Sequence, residues 1–318
     1  MSSRPSPCRE SIAEVATGFG VTALGVTDAC AVDYDAVERY HRWLADGRHG
    51  EMKYLEKYDE VRSDPRLLLD GARSVIVAAF NYYPPKRRNK DMLQIAAYAL
   101  GKDYHEAVKE RLENVAAYIR ETWGGETRVC VDTAPLRERY WAVKSGVGFI
   151  GRNGLLIVPG RGSYFFIGTI LTTVHFEPTE ACRDECAGCG ACITACPGGA
   201  LCGDGTVDAR RCLSYLTIEY RGEFPEGLSI GNRLYGCDEC QSVCPHNRTA
   251  TPTEIEEFMP SEELLALSAE DIKRMTPEEF SRIFRHSAIR RTKLTGLQRN
   301  LRQVERREKG NDNGSNIR

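Results

Sequence analysis

The sequence predicts a mixed α/β (α+β) protein in three parts: a layered front half, a compact cysteine-rich module and a helical C-terminal segment. Three observations carry this. Apolar, β-branched runs alternate with helical spacing up to about residue 177, the pattern of an α/β layer domain. Eight cysteines then follow, seven of them in two runs each closed by Cys-Pro and the eighth, Cys212, between the runs. After them, residues 254–280 are acidic with helical periodicity, and the stretch from Arg282 to Lys309 is strongly basic, against only Glu305 and Glu308.

Residues 9–18 read as an amphipathic helix, followed by a short β-branched strand from Val21 to Thr27. Residues 34–46 return to helical spacing and stop at Gly47. Ser74 to Phe80 is a continuous apolar run, the mark of a strand covered on both faces. Helical periodicity spans 91–122, broken near Gly101, and Thr127 to Val131 is another strand. A short helix from Tyr140 to Ser145 and a glycine-rich turn from Gly146 to Gly154 follow. Leu155 to Val158 and Phe165 to Thr172 complete the strands. The predicted boundaries are 1–177, 178–248 and 249–309, with 310–318 a polar tail expected to be disordered.

The first cysteine run is Cys186-x2-Cys189-x2-Cys192-x3-Cys196-Pro197, and the second is Cys237-x2-Cys240-x3-Cys244-Pro245, with Cys212 upstream as a detached partner. The first is the bacterial two-cluster ferredoxin pattern, whose fourth cysteine ligates the other cluster. By that crossing rule Cys186, Cys189, Cys192 and Cys244 hold one [4Fe–4S] cluster, and Cys196, Cys212, Cys237 and Cys240 hold the other. Zinc knuckles and disulfides are the alternatives. Zinc sites, however, use paired CxxC units without the x3-Cys-Pro ending. Cys8, Cys30, Cys130, Cys182 and Cys202 all read as buried or bystander thiols; for Cys182 and Cys202, which flank the first run, a ligand role is the lesser alternative.

With 42% hydrophobic and 28% charged residues and a net charge of −2, composition excludes a chain that binds nucleic acid through global charge. Any such signal must be local: the basic stretch from Arg282, or the patch Lys86-Arg-Arg-Asn-Lys90, each of which also reads as a solvated face. The N-terminus carries no apolar signal-peptide core and no twin-arginine pair, and no apolar run approaches ~18 residues. The expectation is a cytoplasmic protein with no membrane contact, in a compartment that keeps thiols reduced.

Two clusters need a second redox site, and the front domain is too large to be a ferredoxin scaffold. Gly146, Gly148 and Gly151 follow a helix rather than a first strand, so dinucleotide binding is poorly supported. Asp103-Tyr104-His105 opens like the Asp-x-His-x-x-Gly of histidine-ligated cobalamin, but Val108 replaces the glycine, and a helix with a polar surface is the favoured reading. Asp132 ends the 127–131 strand, where ligand sites of α/β sheets gather. Partial desolvation there would raise its pKa and suit it to general-acid work; a turn or N-cap role is the alternative.

The chain resembles the epoxyqueuosine reductase family. The resemblance is carried by Gly50-Glu-Met-Lys-Tyr54, Arg62-x-Asp64-Pro65-Arg66, Tyr98-Ala-Leu-Gly-Lys-Asp-Tyr-His105, Asp132-Thr-Ala-Pro-Leu136, Gly148-Phe-Ile-Gly-Arg-Asn153, and Gly231 to Gln241, and it spans residues 10 to about 302. It implies base-off cobalamin in the front domain and two [4Fe–4S] clusters that reduce it. The implied substrate is tRNA carrying epoxyqueuosine at the wobble position of a queuosine-type anticodon. The implied reaction is two-electron loss of the epoxide oxygen as water, giving queuosine, with Asp132 as proton donor. By motif matching, the cobalamin contacts would be Arg62, Tyr98, Asp132, Asn153, Gly168, Ser214 and Asp238. An external electron donor and a monomer are expected. Longer members carry a further C-terminal helical-repeat region that grips tRNA, so the basic stretch from Arg282 is expected to carry phosphate contacts here. The alternatives are a cytosolic cobalamin-dependent reductive dehalogenase and a non-enzymatic double-cluster electron carrier.

Overall fold

A computed structural model describes residues 5–312. Four strands form the central sheet: β1 (Ala23–Asp28), β2 (Ser74–Asn81), β3 (Thr127–Cys130) and β4 (Phe165–Thr172). Their spatial order is β1-β2-β4-β3, and every neighbouring pair is antiparallel. Seven of the eight residues of β2 are buried. Ile76, Ala78 and Phe80 enter one core, and Val75, Val77 and Ala79 enter the other. Two-sided coverage, usual for parallel sheets, therefore explains the unbroken apolar run in an antiparallel one.

Helices α1 (Arg9–Gly18) and α3 (Tyr104–Trp123) cover the first face; α2 (Tyr34–Ala45) and α4 (Glu138–Lys144) belong to the second. α3 is capped by Asp103, whose side chain accepts the His105 N–H at 3.0 Å. It buries Val108, Leu112, Val115 and Ile119 at three- and four-residue spacing. Gly124 ends it with φ +79°. The helical periodicity read from residue 91 onward begins only here. Before Gly101 the chain is extended at Gln94–Ile95, pairing with Arg233–Tyr235, and then forms a short 3-10 turn. Leu156–Ile157 pairs with Phe149–Ile150 in a separate hairpin and does not join the main sheet.

The three predicted parts share packing. One buried core combines Ile95 and Leu100 of the front part, Leu234 and Tyr235 of the cysteine module, and Phe284, Leu297 and Leu301 of the C-terminal segment. The last helix, α5 (Lys293–Asp312), carries through Gly310–Asp312 of the expected tail; residues 313–318 lie outside the described ones. No helix among the described residues is long and apolar enough to cross a membrane.

Candidate functional site

The cysteines gather in two groups. Cys186, Cys189, Cys192 and Cys244 line one recess, with Arg152 and His246 at its wall. Gly188 and Gly190, at φ +68° and +71°, let the loop wrap tightly enough for its three thiols to face inward. The short helix after that loop packs on the one after Cys237, which delivers Cys244 across. Cys240 sits in the charge environment of Cys237, Cys212 and Cys196 instead. Burial pushes Cys237 up to about 11 and Cys240 further still. Cys196 Sγ accepts the Ala200 N–H at 3.3 Å, the kind of bond that steadies a thiolate. Cys182 and Cys202 are engaged elsewhere, with the Asp184 carbonyl and with Arg48. Among the described residues, no three His, Cys, Asp or Glu side chains close on a single-ion point.

Asp132 follows β3 with a left-handed φ of +44°, strained for a non-glycine residue. Its backbone N–H donates to Glu138 Oε1 at 2.6 Å, so α4 holds the turn. Asp132 caps no helix; the residue before α4 is Arg137. The carboxylate Oδ2 meets His105 Nε2 at 2.9 Å, and His105 Nδ1 meets Asp103 Oδ1 at 2.6 Å. The His105 ring stacks on Tyr104 at 4.1 Å, and Tyr104 stacks on Phe166 of β4 at 4.2 Å.

The expected rise in the Asp132 pKa is corrected. Its side chain is 52% exposed, yet the surrounding protein still makes desolvation the largest influence, and that pushes the pKa up. The His105 hydrogen bond and charge, with Tyr104 and Arg139 nearby, outweigh it and leave Asp132 below its usual value. For His105 the balance runs the other way. Desolvation lowers its pKa, but Asp103 and Asp132 raise it to about 9. Burial, then the Asp132 charge, lifts Glu138 to about 8. His105 is the residue the sequence reading discarded. The spacing was legible, but the 27-residue reach to Asp132 was not.

Tyr98 and Asp238 come together: the Tyr98 hydroxyl lies 3.2 Å from that of Tyr235, and Asp238 Oδ2 accepts the Ala97 N–H at 2.7 Å. Asn153 is buried, and its amide faces the Cys240 carbonyl at 3.4 Å. Ser214 lies on the helix that follows Cys212. Arg62 donates to the Lys57 carbonyl at 3.1 Å beside Tyr54. Gly168 has a packing reason of its own, since a Cβ there would stand 2.4 Å from Leu112 Cδ1 of α3. Arg291 reaches the rim, 5.5 Å over the Tyr54 ring and bidentate on Glu219. The two basic stretches are only partly solvated. Arg299 is buried on backbone carbonyls of Leu216, Tyr220 and Gly222, and Arg88 on those of Leu93, Leu264 and Leu267.

Residues 62–133 match the family described as epoxyqueuosine reductase QueG, DUF1730, and residues 185–247 match the 4Fe-4S double cluster binding domain. Epoxyqueuosine reductase of Cyclobacterium marinum is 37% identical over 302 residues, which cover 92% of this chain and 96% of the relative. The chain belongs to the epoxyqueuosine reductase family. The Escherichia coli member is 36% identical over 86% of this chain and 74% of its own length. A crystal structure of epoxyqueuosine reductase with an epoxyqueuosine-modified tRNA-Tyr stem loop matches with TM-score 0.84 at 31% identity, over 93% of this chain and 80% of that one. The Bacillus subtilis enzyme, with its aspartate-bearing catalytic loop swung out of the active site, matches at 0.82 and 30%, with the same coverage.

The family's enzymes are oxidoreductases that use two [4Fe–4S] clusters and cobalamin. The residues here fit both. Each thiol group offers four sulfurs, the number a [4Fe–4S] cluster takes from cysteine. Both ring nitrogens of His105 are taken by carboxylates, which leaves that imidazole unavailable as a cobalt ligand and suits a corrin with no histidine ligand.

Proposed function

We propose that this chain reduces epoxyqueuosine at the wobble position of tRNA to queuosine, with Asp132 passing a proton to the departing epoxide oxygen. The observation that carries this reading is the placement of Asp132. It stands half-exposed on a strained turn against His105, whose ring stacks on Tyr104; Tyr104 in turn meets Tyr98, a neighbour of Asp238 beside Cys237. The solved relative whose aspartate-bearing catalytic loop moves supports the same role for this turn.

The ligand sets are Cys186, Cys189, Cys192 and Cys244 for one cluster and Cys196, Cys212, Cys237 and Cys240 for the other. Tyr98 and Asp238, joined through Ala97 and Tyr235, and Asn153 and Ser214, next to Cys240 and Cys212, would hold the corrin together with Arg62. Cobalamin held there would supply the low-potential electrons. An external donor would deliver these at the exposed Cys189 side. The exposed cations Arg282, Arg285, Arg290, Arg291 and Lys293 supply charge for tRNA phosphates along the rim. Such a substrate, with reduced thiols, fits a cytoplasmic monomer.

The test is direct. Anaerobically reconstituted protein is loaded with cob(II)alamin and given a reductant and an epoxyqueuosine-containing stem loop, and the nucleosides are then analysed. Queuosine is expected in place of epoxyqueuosine. Loaded protein that leaves epoxyqueuosine intact removes the reading in favour of an electron carrier.

A further inference from the structure

Epoxide removal consumes two electrons and two protons: both C–O bonds break, a C=C bond forms, and the oxygen leaves as water. A single carboxyl can hand over only one proton before it must be refilled. Resting on the proposed reaction, we infer that His105, clamped by Asp103, is the positioning residue that holds this proton and recharges Asp132 between the two transfers.

The geometry is continuous. Asp103 Oδ1, His105 Nδ1, His105 Nε2 and Asp132 Oδ2 form one line of hydrogen bonds, of 2.6 and 2.9 Å. Asp103 is fixed twice over: its side chain accepts the His105 N–H as the cap of α3, and its own N–H donates to the His286 carbonyl at 2.7 Å. The ring cannot swing away, because it stacks on Tyr104, which itself stacks on Phe166. An imidazole pinned between two carboxylates keeps both N–H groups. As negative charge grows on the epoxide oxygen, the Nε2 proton crosses to the Asp132 carboxylate, which passes a proton on to that oxygen, leaving His105 neutral and Asp132 ionised again. About a third of the His105 side chain is open to water, so the imidazole can take up the second proton from solvent. The charged and titratable groups facing the Asp103–His105–Asp132 chain are Glu138 and Arg139 on α4, Arg290, Tyr54, Tyr104 and Tyr235. Glu106 lies one residue along α3, paired with His286 at 3.7 Å.

The sign follows. His105 is raised to about 9 in the folded protein, so the stored proton is present throughout the neutral range and is lost as pH rises through about 9. The test uses cofactor-loaded, histidine-labelled protein with oxidised clusters. It follows the His105 ring by NMR titration and, separately, the pH profile of single-turnover epoxyqueuosine reduction. In Asp103→Asn the ring should titrate at least one unit lower, and the alkaline limb of the profile should move down with it. In His105→Gln that limb should vanish and kcat fall at least tenfold, with KM and cobalamin binding retained. An alkaline limb unmoved in Asp103→Asn, or wild-type kcat in His105→Gln, overturns the inference. Where loaded wild-type protein reduces no epoxyqueuosine at all, the proposed reaction fails, and the titration in Asp103→Asn and Asp132→Asn alone decides whether the carboxylates hold that proton.

Discussion

The two thiol groups hold four sulfurs each, but they live in opposite surroundings. The first lines a surface recess with Cys189 exposed, and its wall includes Arg152 and the buried, unpartnered Nε2 of His246. The second is wrapped by protein: Cys237 and Cys240 are strongly desolvated, Asn153 faces the Cys240 carbonyl, and Asp238 ties the loop to Ala97 beside Tyr98. Solvent exposure and nearby hydrogen bonds set cluster potentials. On the proposed ligand sets, electrons would enter at the exposed group and leave from the desolvated one toward Tyr98, Tyr104 and Asp132.

Breaking each group separately gives the largest expected effect. Cys240→Ala and Cys189→Ala should each lower the iron content from about eight to about four per chain. Cys240→Ala should then abolish epoxide reduction with every reductant. Cys189→Ala should abolish it with a protein donor but recover part of it with a small chemical reductant able to reach the inner cluster. Equal recovery in the two variants would remove the directional reading.

Next in size is Asp132→Asn, which leaves both thiol groups untouched. Losing a positioned general acid costs ~10²–10⁴-fold in rate. Iron content and cobalamin uptake should match wild type while kcat falls within that range. Loss of cobalamin together with activity would make Asp132 a binding residue instead.

What the sequence revealed divides along the same line. The Cys-Pro endings suggested the crossing rule because a three-residue spacing is a local constraint, and Cys244 lines the same recess as Cys186. Both-sided burial of β2 was legible from its unbroken apolar run, whereas strand direction was not, since antiparallel pairing depends on connections far apart in the chain. Asp132 was found by its place at a strand end. Its lowered pKa was missed because the cause, His105, lies on another element and looked like a surface residue of α3. Arg88 and Arg299 misled for the mirror-image reason: composition counts a cation without showing that backbone carbonyls already hold it.

That last contrast yields the smallest prediction. Arg291 is half-exposed, its guanidinium paired with Glu219 and lying over the Tyr54 ring, so phosphate can compete for it. Arg299 is 6% exposed and satisfies three backbone carbonyls. Arg291→Gln should weaken stem-loop binding modestly and flatten its salt dependence by about 0.7 of a logarithmic unit, one phosphate's share on single-stranded RNA. Its urea midpoint should stay at the wild-type value, because an exposed ion pair contributes ~0–1 kcal/mol. Arg299→Gln should do the reverse. Carbonyls stripped of their donor cost ~1–3 kcal/mol, so the midpoint drops while the salt slope of the folded protein is unchanged. An unchanged slope in Arg291→Gln would move the tRNA contact away from this rim and toward Arg285 and Arg290, the exposed cations that precede it.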